Sequence, residues 1–236
     1  MIERAHRASM SKTELLLLCQ YWARPDVVVP PSEAGPRAII GNETHAMADD
    51  LIKGRPITEA SAEATALFAT LRPWIEDRHY TTSEMVVYYN ADTCEATADT
   101  GSAGHRNYKP HDAMVLPGTL DLVRHDAPAM TTTNIDIKTG SKSNVTPAAE
   151  NGQLLSGSLA LRAIYKSTRS FQGLVFPLKT KVNTDIVEVS QDQLDDHAGK
   201  LRRAMRALPT SQPQPGKHCF RCPAWMMCPA QVKGGY

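Results

Sequence analysis

The sequence predicts an α/β protein built as one domain, with helices in its first third, a sheet assembled from its middle and a short cysteine-bearing tail. Three observations predict it. Apolar residues recur at helical spacing up to about Arg72; from Ser83 the pattern shifts to short β-branched and aromatic runs between turn residues; and a helical pattern then separates two further strand-like runs. The 236 residues divide into a helical part over about 1–80, a core over 81–208 and a Cys-rich tail over 209–236. That length supports one ordinary core without staples.

The first helix is expected from about Lys12 to Trp22, stopping before Pro25, because Leu15, Leu18, Cys19 and Trp22 share helical spacing; Cys19 falls in its last turn. The stretch Val27 to Pro36 is rich in proline and predicts a loop. A second helix is expected after Gly41, capped by Asn42 and stopped by Gly54, with His45, Ala48 and Ile52 on one face. An Ala-rich pattern predicts a third helix from Thr58 to about Arg72, before Pro73.

Strands are expected at Met85 to Tyr89, Asp112 to Leu116, Thr119 to Arg124 and Thr132 to Lys138, and Cys94 reads as part of a polar strand. Pro117-Gly118 has the form of a tight turn and predicts a hairpin. Pro147 opens a helix through Gln153 and Leu161 to about Tyr165, followed by strands at Phe171 to Leu178 and Asp185 to Val189. Ser190 and Gln193 form a capping box for a last helix reaching Leu208, where Pro209 ends it. A linker with Pro213 and Pro215 leads to the tail.

Hydrophobic residues make up 42% and charged residues 22%, and 26 Lys+Arg against 25 Asp+Glu leave a formal charge of +1, which excludes a disordered acidic or basic tail protein. The apolar run Leu15 to Cys19 is far short of a bilayer span and the first ten residues lack a secretory stretch, so no membrane association and a cytoplasmic location are expected. Five cysteines, an odd number, argue for metal binding or burial over a disulfide framework. Charge is uneven along the chain: Arg162, Lys166, Arg169, Lys179 and Lys181 occur with no acidic residue between them, and Lys217, Arg221 and Lys233 repeat the bias. Such faces suit a polyanion held through its phosphates, and equally a solvated helix face.

The sharpest local feature is Asn134-Ile135-Asp136-Ile137-Lys138-Thr139-Gly140, an apolar strand ending in a carboxylate and an ammonium on one face. Asp136 can hold a hard cation, the Ile137 backbone carbonyl can add an oxygen, and Lys138 can orient a water or neutralise charge developing on a phosphate. Gly118-Thr119-Leu120-Asp121 supplies a second carboxylate from a neighbouring strand, Gln153 follows in the next helix, and His45 offers an imidazole. Taken singly, Asp-x-Lys is also the pattern of an edge-strand ion pair, His45 that of a packed histidine and Gln153 that of a solvent-facing amide.

Cys219, Cys222 and Cys228, with Cys19 as the remaining N-terminal thiol, form a soft-ligand set for zinc or an iron–sulfur cluster. A metal held by all four would tie the first helix to the tail. Cys94 has no partner in sequence and reads as a packed thiol.

Gly41-x-x-x-His45, Gly118-x-x-Asp121, Asp136-Ile-Lys-Thr-Gly140 and Gln153 occur in the order and rough spacing of the RecB-type PD-(D/E)XK nucleases, which the chain resembles. The cysteines resemble those of its iron–sulfur branch, represented by the AddB nuclease domain and the CRISPR-adaptation nucleases, and the surroundings of the tail are similar to phage-encoded members. The resemblance implies a restriction-endonuclease-like core, a mixed central sheet flanked by helices, with an iron–sulfur-stapled N/C-terminal region. It implies that Asp121 and Asp136 coordinate magnesium or manganese, that His45 adds a ligand, that Lys138 assists the attacking water and that Gln153 positions the site or the DNA. It implies a [4Fe-4S] cluster on Cys19, Cys219, Cys222 and Cys228. Glu84 falls where relatives often carry an acidic residue, whereas Gly157 stands where they carry a tyrosine.

The implied activity is metal-dependent hydrolysis of DNA, an exonuclease acting independently of sequence in recombination, repair or phage DNA processing, in a prokaryotic or phage-infected cytoplasm. A recombinase, helicase or CRISPR-type partner protein is implied with it, the oligomeric state being unknown. Two other readings stay open: a catalytically inactive DNA-binding or assembly subunit, and a zinc-stapled protein binding nucleic acid. Gly140-Ser141-Lys142-Ser143 lacks the leading glycine and Gly-Lys pair of a phosphate loop.

Overall fold

The computed structural model describes residues 7–30, 34–99, 108–109, 111–140, 143 and 145–230. Helices α1 (Thr13–Leu18), α2 (Pro36–Ile52) and α3 (Ala62–Glu76) precede strands β1 (Thr82–Asn90), β2 (Ala96–Asp99), β3 (Val115–Asp126) and β4 (Thr131–Ile137). Helix α4 (Gly152–Tyr165), strands β5 (Arg169–Pro177) and β6 (Val182–Val189), and helix α5 (Gln191–Ala207) complete the core. Among the described residues no helix is long and apolar enough to cross a membrane.

The six strands form one sheet in the order β2-β1-β3-β4-β5-β6, antiparallel throughout except for β4 and β5, which run parallel and are joined through α4. The sheet is therefore mixed, as expected, with helices covering it. Leu116, Leu120 and Val123 pack in one core cluster with Leu16 of α1, Leu159 of α4 and Leu201 of α5. Leu122, Ile135, Ile137 and Val175 pack in another with Met47 of α2 and Phe68 and Leu71 of α3. Helix α4 is buried continuously from Leu154 to Leu161, the mark of a helix enclosed between layers rather than lying on the surface.

Several expected boundaries move, each for a local reason. Helix α1 stops at Leu18 because Cys19 is extended (φ −157°, ψ 118°), and the Gln20 amide donates to the Leu16 carbonyl at 2.7 Å, satisfying a group the helix end leaves open. Cys19 thus lies beyond the last turn, not within it. Helix α2 begins at Pro36, six residues earlier than expected, since proline suits the first helical position. Asn42 is consequently internal and does not cap, and Gly41 sits inside the helix because a Cβ there would lie 2.9 Å from Thr139 Oγ1. The third helix begins after Ser61, whose side chain accepts from the Ala64 amide, and continues through Pro73 to Glu76.

The predicted hairpin at Pro117-Gly118 does not form. Both residues lie inside β3, opposite Tyr88 and Val87 of β1, at a point where the β4 pairing has not yet started, so the missing proline N–H leaves no ladder bond broken. Gly118 is there for closeness: an added Cβ would meet the Met10 side chain under 3.0 Å away. Cys94 is not in a strand; it occupies the connection between β1 and β2 with φ 59°. Pro147 opens a 3-10 turn, Ala148–Glu150, and Asn151 caps α4 by accepting from the Leu154 amide at 3.1 Å. The Ser190–Gln193 capping box is present on α5.

Candidate active site

Asp121 of β3 and Asp136 of β4 come from adjacent antiparallel strands, held in register by the Leu122–Ile135 pair between them. One Asp121 oxygen, Oδ2, accepts the Ile137 amide at 2.7 Å, so the two strands clasp at this point through the carboxylate itself. His45 reaches the site from α2, which can approach the end of β4 because Gly41, one helical turn earlier, has no side chain. Its Nε2 lies 3.0 Å from the Ile137 carbonyl oxygen and its Nδ1 lies 3.4 Å from both Glu84 Oε1 and Asp121 Oδ1. With Nε2–H donating to the carbonyl, Nδ1 faces the two carboxylates, and a cation there would take the place of its proton. The Ile137 carbonyl, expected from sequence as an oxygen ligand, is thus engaged by the imidazole.

Glu84 stands opposite Asp121 across the β1–β3 ladder and holds a left-handed backbone conformation, φ 47°, inside a strand. Strain of this kind in a residue with a Cβ is maintained only where the surroundings enforce it. Among the described residues, His45, Glu84 and Asp121 are the one set of three or more His, Cys, Asp or Glu side chains whose ligand atoms all lie within 4.8 Å of one another.

Asp136 is bracketed. Its Oδ1 accepts from Gln153 Nε2 at 2.8 Å, and its Oδ2 lies 2.7 Å from Lys138 Nζ. Oδ2 is itself buried, and the Lys138 ammonium is its close polar contact. Lys138 Nζ also donates to Gln153 Oε1 at 3.3 Å, so the Gln153 amide orients carboxylate and ammonium together. Because β4 is an interior strand, the simple edge-strand ion pair does not describe these residues.

The electrostatics follow the same geometry. Burial disfavours charge on His45, but Asp121 and Glu84 outweigh it and lift the imidazole well above its ordinary range. Burial also opposes ionisation of Asp121, yet His45, the Ile137 amide and Lys138 hold it below the usual carboxylate value. Asp136 is pushed up to about 6, first by burial and then by Asp121, with Lys138 offsetting part of the effect. Two buried carboxylates that repel each other, with the His45 imidazole and Glu84 beside Asp121, form a donor set suited to a hard divalent cation.

These groups line a cleft of about 350 Å³, to which Lys12, Arg37 and Tyr108 also contribute. Sequence reasoning singled out none of these three for the site: Lys12 marked only the start of the first expected helix.

The cysteines gather elsewhere. Cys19, Cys219, Cys222 and Cys228 line one apolar cavity together with Trp22 and Trp225, joining α1 to the tail. Burial raises the Cys222 thiol, and the proximity of Cys19, Cys228 and Cys219 adds to the rise. The Gly216 amide donates to Cys219 Sγ at 3.4 Å. Cys94 is apart from this group and accepts from Arg202 Nη2 at 3.1 Å. Of the basic residues, Arg162 is paired with Asp195 and Arg169 with Glu188, which removes two of five from any phosphate-binding face; Lys233, like Ser141 and Lys142, lies outside the described residues.

The chain belongs to the PD-(D/E)XK nuclease superfamily, whose sequence model matches residues 7–229. That membership implies a metal-dependent phosphodiesterase, and the His45, Glu84 and Asp121 side chains could hold a metal ion. No curated protein matches it. A solved structure, the crystal structure of SSO0001, is similar at 15% identity over 50% of this chain and 52% of its own, about half its length, with a TM-score of 0.30.

Proposed function

We propose that this protein is a divalent-metal-dependent deoxyribonuclease, an exonuclease acting without sequence preference in recombination, repair or phage DNA processing. The observation that carries the proposal is the convergence of Asp121, Asp136 and Lys138 on one cleft with His45 and Glu84. A bound magnesium or manganese ion would screen the phosphodiester and lower the pKa of water beside it. His45 Nδ1, Glu84, Asp121 and Asp136 are the groups that would hold it. Lys138, 2.7 Å from Asp136, is placed to orient the attacking water and to neutralise charge growing on the phosphate oxygens. Gln153 fixes the direction of both side chains and touches neither water nor phosphate in this role.

The four cysteines are proposed to hold a [4Fe-4S] cluster. They line a single apolar cavity with Trp22 and Trp225, which supports one shared soft-ligand centre, zinc being the alternative occupant. A recombinase, helicase or CRISPR-type protein is the proposed partner class.

The test is incubation of anaerobically purified protein with end-labelled linear DNA in manganese or in EDTA, beside the Asp136→Ala variant. Cleavage by the wild type in manganese alone is expected. Digestion by Asp136→Ala at the wild-type rate would place the reaction elsewhere.

A further inference from the structure

The wall of the cysteine cavity carries two polar atoms that the protein itself does not satisfy. Trp22, in the 3-10 turn Tyr21–Ala23 that follows Cys19, lines the cavity beside Cys19, Cys219, Cys222 and Cys228 and is only 2% exposed. Its indole Nε1 is buried with no hydrogen-bond partner among the described residues, and His218 Nε2, on the same wall, is in the same state. An imidazole nitrogen can donate or accept, so His218 fits either kind of partner. The indole N–H can only donate, and it decides what the cavity has to supply. None of the four cysteine sulfurs accepts from it. Packing holds the ring where it is: Trp22 shares one buried apolar cluster with Ala224, which lies between Cys222 and Cys228 in sequence, and Cys222 packs against that cluster. A buried donor left unpaired is costly, so this position calls for an acceptor.

Resting on the cluster reading above, we propose that Trp22 Nε1–H is a hydrogen-bond donor to a sulfide of the iron–sulfur group, a positioning residue that favours this occupant over zinc and raises its reduction potential. Inorganic sulfides are acceptors that an iron–sulfur group brings with it. Zinc brings no acceptor of its own and leaves only the thiolates, none of which accepts from the indole. Reduction adds negative charge to sulfur, so a donor beside it stabilises the reduced form more than the oxidised one. The role belongs to the N–H and not to the ring: phenylalanine keeps an aromatic side chain at this position and lacks the donor.

The experiment uses the full chain, prepared anaerobically, as wild type and as Trp22→Phe. Iron, zinc and acid-labile sulfide are counted, and the midpoint potential is read by titration of the visible absorption against redox mediators. Trp22→Phe should keep its iron, while the ratio of reduced to oxidised protein at the wild-type midpoint falls about tenfold, a midpoint about 59 mV lower for one electron. Full iron with an unmoved midpoint overturns the proposal and leaves the cluster in place, since a water then takes the indole proton. Should Trp22→Phe fail to fold, the decision passes to protein with isotope-labelled indole nitrogen in a Trp225→Phe background, because Trp225 lines the same cavity. Magnetic resonance of its reduced form should show coupling to the labelled nitrogen and to an exchangeable proton, and absence of both overturns the proposal. Colourless wild-type protein holding zinc and no sulfide removes the cluster reading itself, and the role of Trp22 with it.

Discussion

Gly157 lies so close to Asn134 that a Cβ on it would come under 3.0 Å from the Asn134 amide nitrogen, which itself donates to the Leu154 carbonyl at 3.1 Å. This contact seats α4, whose first turn carries Gln153, on β4, which carries Asp136. The tyrosine expected from family resemblance has no room here, so Gly157 is a packing requirement. Gly157→Ala should lower stability by about 1–3 kcal/mol through overpacking, despite the better helix propensity of alanine. Urea unfolding measures it, and a variant as stable as the wild type would mean that α4 has room to shift.

Asp136 combines a cost to folding with a role in the cleft. Its pKa rises on folding from the ordinary value to about 6, so its carboxylate destabilises the metal-free protein as pH climbs from about 4 through 6. Asp136→Asn should therefore melt no lower than the wild type in EDTA at pH 8, while losing metal-dependent cleavage. A large fall in melting temperature would show that the carboxylate supports the fold through Lys138 and Gln153.

Gln153 acts through its neighbours, holding Asp136 at 2.8 Å and Lys138 at 3.3 Å. Gln153→Ala should cut turnover about 10–100-fold and shift the pH–rate profile, whereas Gln153→Glu should recover the lysine contact alone. Lost activity with an unmoved pH profile would assign the residue a purely structural part.

Strands β1, β4, β5 and β6 were legible as β-branched or aromatic runs between turn residues, whereas β3 read as two strands and β2 only as a polar strand at Cys94; Asp121, Asp136, Lys138 and Gln153 do meet in one cleft. What misled was punctuation. Pro117-Gly118 and Pro73 look like breaks, but their effect depends on whether a hydrogen-bonding partner stands beside them, which is a tertiary fact. Gly41 looked like a helix start because the need for closeness to Thr139 is invisible in sequence. Glu84 was recognisable only as an acidic residue; the backbone strain that aims it at His45 was not.

Glu84 offers a separation of strain from ligation. Its φ of 47° costs about 1–3 kcal/mol in a residue with a side chain. Glu84→Gly relieves that strain, so it should fold at least as well as Glu84→Ala while both bind manganese more weakly than the wild type. Calorimetric titration reads the affinity; equal affinity in all three would remove Glu84 from the cation site.

The cysteine cavity brings Cys19, just after α1, beside residues some two hundred positions later, so if the proposed cluster joins them, losing one thiol should free both ends. Cys222→Ser should lower iron content and visible absorption and reduce thermal stability, with Cys94→Ser as the unaffected control. Full iron retention in Cys222→Ser would exclude this thiol from the cluster.

His197 reports on a buried network away from the cleft. Its Nε2 lies 3.0 Å from the Ser156 hydroxyl, which donates to the Gly152 carbonyl at 2.8 Å and lies 3.1 Å from Thr13 Oγ1, so α1, α4 and α5 meet at one point. Burial, and next the Lys200 ammonium, push the imidazole down to about 4. The unfolded chain therefore takes up this proton first as pH falls below about 6.5, and folding loses stability until the folded protein is protonated near 4. The loss is at most roughly 3 kcal/mol. His197→Gln should flatten the stability profile over that window relative to the wild type, read from denaturant midpoints at matched pH. A variant whose profile runs parallel to the wild type from pH 7 to 4 would show that the imidazole titrates as freely folded as unfolded.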